Sequence, residues 1–528
     1  MPKVTPVRGE AVQILPAGPS IIALDRFIQS TRDSGYRGTT SAIAELVDNA
    51  LEASAQHIEI RVTKSSTDNE IEVAVLDDGI GMDVRTLTEA LRFGGTTRFN
   101  SRTGLGRFGM GLPNASLSQA RRVDVFSWQD GKASNTSYLD VDQIVGGTLT
   151  AIPKPTRRSP PSYSKSNRSG TLVLWTRCDR LDHRRIATIE KRLLAGLGRI
   201  FRHYLWSGVA ITINGKNIEP IDPLFLRAPF GDGVAEQFHE TITIEVAADA
   251  DLQTKRSGNV KIVFTELPVA EWHQLSNDEK RARAITNGGG VSIVRGKREV
   301  DFGWFFMGTK RRESYDDWWR CEIRFDPALD DAFGISHTKQ QIRPSENLVE
   351  ALTPIIEDTA KALNSRARHK YLVLKTEKNY GEAEKIAARH HGRLRPISKR
   401  AGLARDTNLL ADLANRNVRV RDALADDNVK PKYLIVPDDQ VSEPFYKAVI
   451  SDRLLVAVLN SNHLFYRKLY EPLVNQSALE SGKMALIINL MLLSAIRAEA
   501  SFNGRDERKL LAKFRKEWSD VFDALLRS

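Results

Sequence analysis

Two side chains four residues apart open the chemistry of this chain. In Glu45-Leu-Val-Asp-Asn49-Ala50, a carboxylate and an amide share one face of an apolar-periodic helix. An amide oxygen is a ligand for a hard cation whose other ligands are waters and phosphate oxygens. A carboxylate beside it is placed to orient or deprotonate an attacking water. That is the constellation of a magnesium-assisted hydrolysis, although a solvated polar helix face carries the same residue types. A second group follows an apolar run: Asp77-Asp78-Gly79-Ile80-Gly81-Met82. An acid at a strand's end can accept a hydrogen bond from an exocyclic amine, and glycines let a flat base approach the backbone. A plain Gly-rich turn reads alike. The third group is Thr103-Gly104-Leu105-Gly106-Arg107-Phe108-Gly109-Met110-Gly111-Leu112, which leads into a predicted helix at 112–119. Free amide N–H groups before a helix suit phosphate oxygens.

These residues need elements to hold them. Residues 20–55 carry a helical period, and strands are predicted at 57–63, 71–77, 122–128, 171–176 and 209–213, the last closed by Asn214-Gly215. The stretch 93–111 is too long and Gly-rich for a plain connection, which points to a functional loop. Residues 152–169, rich in Pro, Ser and basic side chains, read as a mobile loop. A second block has strand-like runs at 239–246, 259–264, 291–294 and 320–325, then a helical run at 346–365. The third block is mostly helical in pattern, with helices expected at 477–500 and 505–526. The fold class is therefore α+β: helices on a mixed sheet over residues 1–218, an α/β domain over 219–365, and a mainly helical C-terminal domain over 366–528.

Composition bounds the rest. A chain of 528 residues suggests about three domains. With 41% hydrophobic and 27% charged residues it is neither wholly disordered nor a membrane protein by composition. Cys178 and Cys321 are too few for a disulfide framework or a zinc site. No unbroken run of 18 apolar residues is present, so no membrane partner is expected. The start of the chain lacks a basic stretch followed by an apolar core, so a cytoplasmic location is expected.

The order and spacing of the three groups resemble the gyrase, heat-shock chaperone, histidine kinase and MutL (GHKL) superfamily, over roughly residues 20–215 and more weakly to about 365. ELVDNALEASAQHIEI (45–60) is similar to the family's first motif, DDGIGM (77–82) to its adenine-binding motif and TGLGRFGMGL (103–112) to its ATP lid. Gly170-Thr171 is similar to its fourth motif. The resemblance implies a Bergerat-type ATP-binding sandwich and the cofactors ATP and Mg2+. By it Asn49 holds magnesium, Glu45 activates water, and Asp77, with Gly79, Gly81 and Met82 beside it, binds the adenine. Thr171 assists at the base. Gly104, Gly106, Arg107, Phe108, Gly109, Met110, Gly111 and Leu112 cover the phosphates.

Histidine kinases carry Asn at the position of Glu45, so this chain resembles the hydrolysing branch, ATP plus water to ADP plus phosphate. VAITINGKNIEPIDP (209–223) resembles the end of the ATPase domain in MutL, MORC and type IIB topoisomerase subunits, where a transducer follows. Ser336-His337-Thr338-Lys339-Gln340 resembles the His-x-Lys-Gln segment of MORC transducers, which implies that Lys339 reaches the γ-phosphate as a catalytic point charge. Its alternative is a surface lysine in a loop. Gly289 to Arg298 looks like a Walker loop but has the wrong spacing and no Ser/Thr, and reads as strand–turn–strand.

The net charge of +11 is concentrated. Residues 366–405 hold 12 Lys/Arg against 3 acids, a net of +9. This segment is either a solvated basic helix and loop or a contact for DNA, and residues 397–413 loosely resemble helix-turn-helix spacing. Among GHKL members the chain most resembles MORC-like or MutL-like bacterial ATPases, which implies an ATP-dependent homodimeric clamp, with DNA as its partner. Two other readings stand beside it. One is a chaperone-like ATPase on protein clients; the other is an ATP-sensing module of a multi-protein bacterial system such as phage defence, whose partner supplies a further activity.

Overall fold

The computed structural model describes residues 23–36, 38–65, 69–95, 109–162, 168–227, 230, 233–247, 257–335, 341–394, 407–425, 432–438, 444–451, 454–475, 479–502 and 504–527. The chain divides into two compact units, residues 1–268 with 276–363, and residues 269–275 with 364–528.

The first unit holds two sheets. Strands β1 (His57–Lys64), β2 (Ile71–Asp77), β3 (Arg122–Trp128), β4 (Asn135–Asp140), β5 (Thr156–Arg157), β6 (Gly170–Thr176), β7 (Ala210–Ile213) and β8 (Lys216–Asn217) form an eight-stranded sheet. Its order is β5-β4-β3-β6-β2-β1-β7-β8. All neighbours are antiparallel except β1 and β7. Helices α1 (Leu24–Ser34), α2 (Thr39–Glu52), α3 (Val84–Leu91), α4 (Gly111–Gln119), α5 (Val141–Val145), α6 (Ile186–Ile200) and α7 (Arg202–Trp206) accompany it. Ile43 and Val47 of α2, Leu117 of α4 and Leu193 and Leu197 of α6 bury against Ile60, Val73, Val123 and Trp175. The alternation of β1 follows, with Ile58, Ile60 and Val62 inward and their neighbours out. The middle strands are apolar on both sides, because Ala74, Leu76, Phe126, Trp128 and Leu172 make a second cluster. This mixed sheet with helices is the α+β architecture read from the sequence.

The second sheet contains β9 (Glu236–Gln237), β10 (Ile242–Ala247), β11 (Ser257–Glu266), β12 (Val291–Arg295), β13 (Arg298–Gly303) and β14 (Trp319–Phe325). Its order is β10-β11-β14-β12-β13, with β9 beside β11. The stretch that mimics a Walker loop is the β12–β13 hairpin, closed where Arg295 pairs with Arg298. Helix α8 (Glu346–His390) is much longer than the predicted 346–365, and its Leu348, Leu352, Ile356, Ala360 and Leu363 fill the core of this sheet with Ile293, Trp319 and Phe325.

In the second unit, residues 364–390 of α8 are joined by α9 (Thr407–Arg416), α10 (Val418–Ala425), α11 (Leu479–Glu499) and α12 (Arg505–Arg527). The last two match the spans expected from periodicity. A three-stranded sheet lies among them: β15 (Lys432–Asp438), β16 (Tyr446–Ile450) and β17 (Leu454–Asn460), in the order β15-β17-β16. Leu454 to Leu459 is an unbroken apolar run, and such a run has no period to separate buried strand from buried helix. Within α11, Ser481–Glu499 is long and apolar enough to cross a membrane by length and composition. Its Leu492, Leu493 and Ile496 sit in the core with Ile435, Ala457 and Leu459. Residues 395–406, the first part of the helix-turn-helix-like stretch, lie outside the described residues.

Candidate functional site

The end of β2 and the start of β6 lie side by side, with Asp77 opposite Thr171. Asp77 Oδ1 accepts the backbone N–H groups of Gly79 at 2.9 Å and Thr171 at 3.3 Å. Its Oδ2 accepts from nothing among the described residues. Burial pushes the carboxyl up to about 6, against the pull of those two hydrogen bonds, and the neighbouring Asp78 adds to the rise. One oxygen is thus pinned while the other is left to a ligand. Thr171 Oγ1 lies 3.0 Å from Ser127 Oγ, which accepts the Met82 N–H at 2.7 Å. Gln129 Nε2 donates to the carbonyls of Ile80 and Gly81. Gly81 has φ of 67°, and a Cβ there would stand 2.1 Å from the Trp128 carbonyl oxygen. The turn passes so close to β3 that only glycine fits.

Asp78 shows the opposite commitment. Its Oδ1 accepts from the N–H groups of Gln56 and His57, and its Oδ2 meets the His57 ring at 2.8 Å. Burial alone would raise this carboxyl, but the hydrogen bonds from His57 and Gln56 outweigh it and hold it below its ordinary range. Of two adjacent acids, one staples a loop and one, buried at the strand end, keeps an oxygen without a hydrogen bond among the described residues.

On α2, Glu45 is buried and Asn49 is half-buried. A Cβ at Gly111 would lie 2.2 Å from Glu45 Oε1, so the carboxylate rests directly on the first residue of α4. Among the described residues that helix start has no side-chain cap, and uncapped N–H groups are orphan donors. The Gly94 N–H donates to the Gly109 carbonyl at 3.0 Å and closes the base of the 93–111 loop. Of the residues expected in the lid, Gly111 stands against Glu45, with Gly109, Met110 and the buried Leu112 next to it in sequence, whereas Gly104, Gly106, Arg107 and Phe108 lie outside the described residues, as does Lys339. The Asn49 amide makes no hydrogen bond among the described residues. No group of three or more His, Cys, Asp or Glu suitable for a metal occurs among them either. A lone amide oxygen fits a hard cation that draws its other ligands from phosphate and water, as magnesium does.

Five contributors escaped the sequence reading. Asp48, between Glu45 and Asn49 in the motif, is fully buried and paired with the buried Arg298 at 2.9 Å. Arg298 comes from the hairpin dismissed as a false phosphate loop, so the second sheet touches the helix that carries Glu45 and Asn49. Its signal was an arginine at a strand start, which the sequence offers many times. Ser127 and Gln129 were hidden in and just after a plain apolar strand. Tyr36, buried, faces Glu45 and Asp48; burial first and then the Glu45 charge push its phenol up.

Known proteins bear on this site. Residues 36–171 match the family described as histidine kinase-, DNA gyrase B- and HSP90-like ATPases. Over 94 residues, 18% of this chain, it is 33% identical to the ATPase morc-1 of Caenorhabditis elegans, of which that stretch is 11%. Over 95 residues it is 32% identical to the ATPase MORC2B of Mus musculus, of which that stretch is 9%. The matched stretch thus spans about a tenth of these relatives' length. Residues 36–171, which supply β1 to β5 and the start of β6, are thus similar to a GHKL-type ATPase domain, and part of the chain is similar to MORC ATPases.

Proposed function

We propose that this chain, through its GHKL-type domain, binds ATP with Mg2+ and hydrolyses it. The observation that carries the reading is the meeting of Glu45 with Gly111 at the start of α4, on the helix that also presents Asn49. Asp77 Oδ2 accepts the exocyclic amine of adenine. Gly79 and Gly81 let the base lie against the turn, with Met82 beside it. The hydroxyl of Thr171, oriented by Ser127, assists at the base edge. Asn49 holds magnesium, which when bound neutralises phosphate charge. The free N–H groups at Gly111 and Leu112 face the phosphates, with the 104–108 glycines as their cover. Glu45 orients the attacking water and takes its proton. Asp48 cannot serve as base, because Arg298 holds its carboxylate.

The second sheet is then a transducer, and Lys339 is its contact with the γ-phosphate. ATP closes the lid, two copies meet, and hydrolysis resets them. The basic stretch 366–405 makes DNA the clamped partner, in a cytoplasmic setting. A turnover assay with purified chain tests the first part: Glu45→Ala should abolish phosphate release and keep ATP binding. Retained turnover rules out the assigned base. Binding to duplex DNA tests the second. Affinity should fall steeply with salt, log K dropping by about 0.9 per phosphate contact against log salt. Salt-independent binding, or binding only to unfolded protein, would favour a chaperone-like client instead.

A further inference from the structure

Tyr36 is a buried titratable group outside the assigned chemistry. It stands in the short link between α1 and α2 and is 5% exposed. Its ring belongs to the core of the first sheet. The chain on either side of it is fastened. Before it, Arg32 Nε donates to the Leu117 carbonyl at 2.8 Å. A Cβ at Gly35 would stand 2.8 Å from Asn114 Oδ1, so the link runs hard against α4. After it, the Thr39 N–H donates to Asp182 Oδ2 at 2.9 Å and the Thr39 hydroxyl to Gln119 Oε1 at 3.0 Å. The phenolic oxygen is the exception. It is buried and makes no hydrogen bond among the described residues. A buried hydroxyl without a partner is disfavoured, and one held this firmly needs a reason to persist.

Three charged side chains act on it. Burial first and then the Glu45 charge push the phenol up, Asp48 adds to the rise, and Arg298 opposes it. Arg298 is a donor, as the phenol is. Asp48 is committed elsewhere, because Arg298 Nε reaches both its oxygens, at 3.1 and 2.9 Å. Of the three, Glu45 is the acceptor that suits the phenol, and the two stand just short of a hydrogen bond. A carboxylate turns about its last bond and offers two oxygens. A donor from the core that takes one leaves the other aimed at water, and the rate of a base depends steeply on such aim.

We infer that Tyr36 is a positioning residue for hydrolysis: its phenol donates to the Glu45 carboxylate during turnover and fixes how the base faces its water. The inference rests on the reading of Glu45 as that base. Deleting the hydroxyl should cost no stability, because the folded chain does not spend it. ATP affinity should also hold, because the phenol reaches the chemistry only through Glu45.

Tyr36→Phe removes the hydroxyl and keeps the ring. Steady-state phosphate release should show kcat lower by about tenfold or more, with KM for ATP within about threefold. The melting temperature should be no lower than that of the native chain. Native kcat in Tyr36→Phe overturns the inference. So does a raised KM at unchanged kcat, which would put the phenol on the nucleotide. So does a kcat that falls only along with the melting temperature, which would make it a packing group. One rival acceptor is the buried Asn114 Oδ1, which also makes no hydrogen bond among the described residues. Asn114→Leu should not reproduce the loss of kcat. If it does, and the double variant with Tyr36→Phe loses nothing more, the phenol acts through Asn114 and the inference fails. Turnover retained in Glu45→Ala overturns the assigned base and this inference together. Turnover lost in Glu45→Ala and kept in Tyr36→Phe overturns this inference alone.

Discussion

The two sheets of the first unit both bury charge, but they spend it differently. In the second sheet the buried charges are matched by partners. Glu299 accepts from Arg199 Nε at 2.7 Å, from Ser292 Oγ at 2.6 Å and from Arg202. Glu322 takes Arg202, His203 and Arg324. Burial would raise the Glu322 carboxyl, but the His203 hydrogen bond and the Arg202 charge hold it far below its ordinary value. Arg295 grips Asp330 with two hydrogen bonds, at 2.6 and 2.7 Å. In the first sheet Asp77 Oδ2 and the Asn49 amide are left without partners among the described residues. Buried polar atoms are costly unless satisfied. Charge gripped by several partners therefore marks scaffold, even with Arg199 Nη2 and Arg202 Nε left without a hydrogen bond among the described residues, whereas the unspent acceptors at a strand end and a helix face are the ones the proposed ligand uses.

Substitutions can break this contrast. The largest effect should come from Glu45→Ala, with turnover falling by about 10²–10⁴-fold and ATP-analogue affinity staying within a few-fold, read by phosphate release beside equilibrium binding. Next comes the scaffold. Arg202→Met removes the buried guanidinium that Glu299 and Glu322 share and should cost about 3–5 kcal/mol of stability in urea melts, while any folded fraction binds nucleotide normally. Arg298→Met lies between the two classes. It should destabilise by taking the buried guanidinium away from the Asp48 carboxylate, and adding Asp48→Asn should restore most of the loss; an absence of rescue would mean the pair is not what holds that strand to α2. Asp77→Asn should weaken adenine-nucleotide binding by about 10–100-fold, equivalent to a charged hydrogen bond of about 1.5–3 kcal/mol, with little change in melting.

The smallest effect is the pH profile. The Asp77 carboxyl titrates near 6 rather than 3.8, so the folded chain holds this proton more tightly than the unfolded chain does. Its ionisation costs stability as pH rises through that window. Only the ionised form keeps Oδ2 free of a proton while Oδ1 accepts the two backbone N–H groups. Nucleotide affinity should therefore fall as pH drops below about 6 in the native chain and stay flat in Asp77→Asn, measured by calorimetry in buffers of matched ionic strength.

The sequence disclosed one sheet better than the other for the same reason. Glu45, Asn49 and Asp77 stand in short local patterns at fixed offsets, and β1, β2, β3 and β6 alternate or run apolar between clear turns. The partners of buried charge are long-range. Asp48 with Arg298, and Glu299 with Arg202, join residues with no local signature. The strands of the second unit stayed hidden because fully buried strands lose the period-two pattern, and α8 overran its prediction because its later residues lack the spacing of Leu348 to Leu363. His463 is a packing residue: its Nδ1 accepts the Phe465 N–H at 3.1 Å and its Nε2 meets Ser519 Oγ at 3.1 Å.

The strand order carries a consequence for how the chain comes into being. β6 enters between β2 and β3, and β1 waits for β7 to arrive in parallel, residues 57–60 against 210–213. Asp77 therefore emerges from the ribosome long before Thr171, the residue that pins it. During that interval the apolar strands β1 to β3 have open edges, and such pairings close slowly because distant residues must meet. The end of β2 beside β6 is completed late in synthesis. A chain stalled before residue 171 would expose the first sheet without the strand that seals it, and would be a substrate for chaperones rather than for ATP.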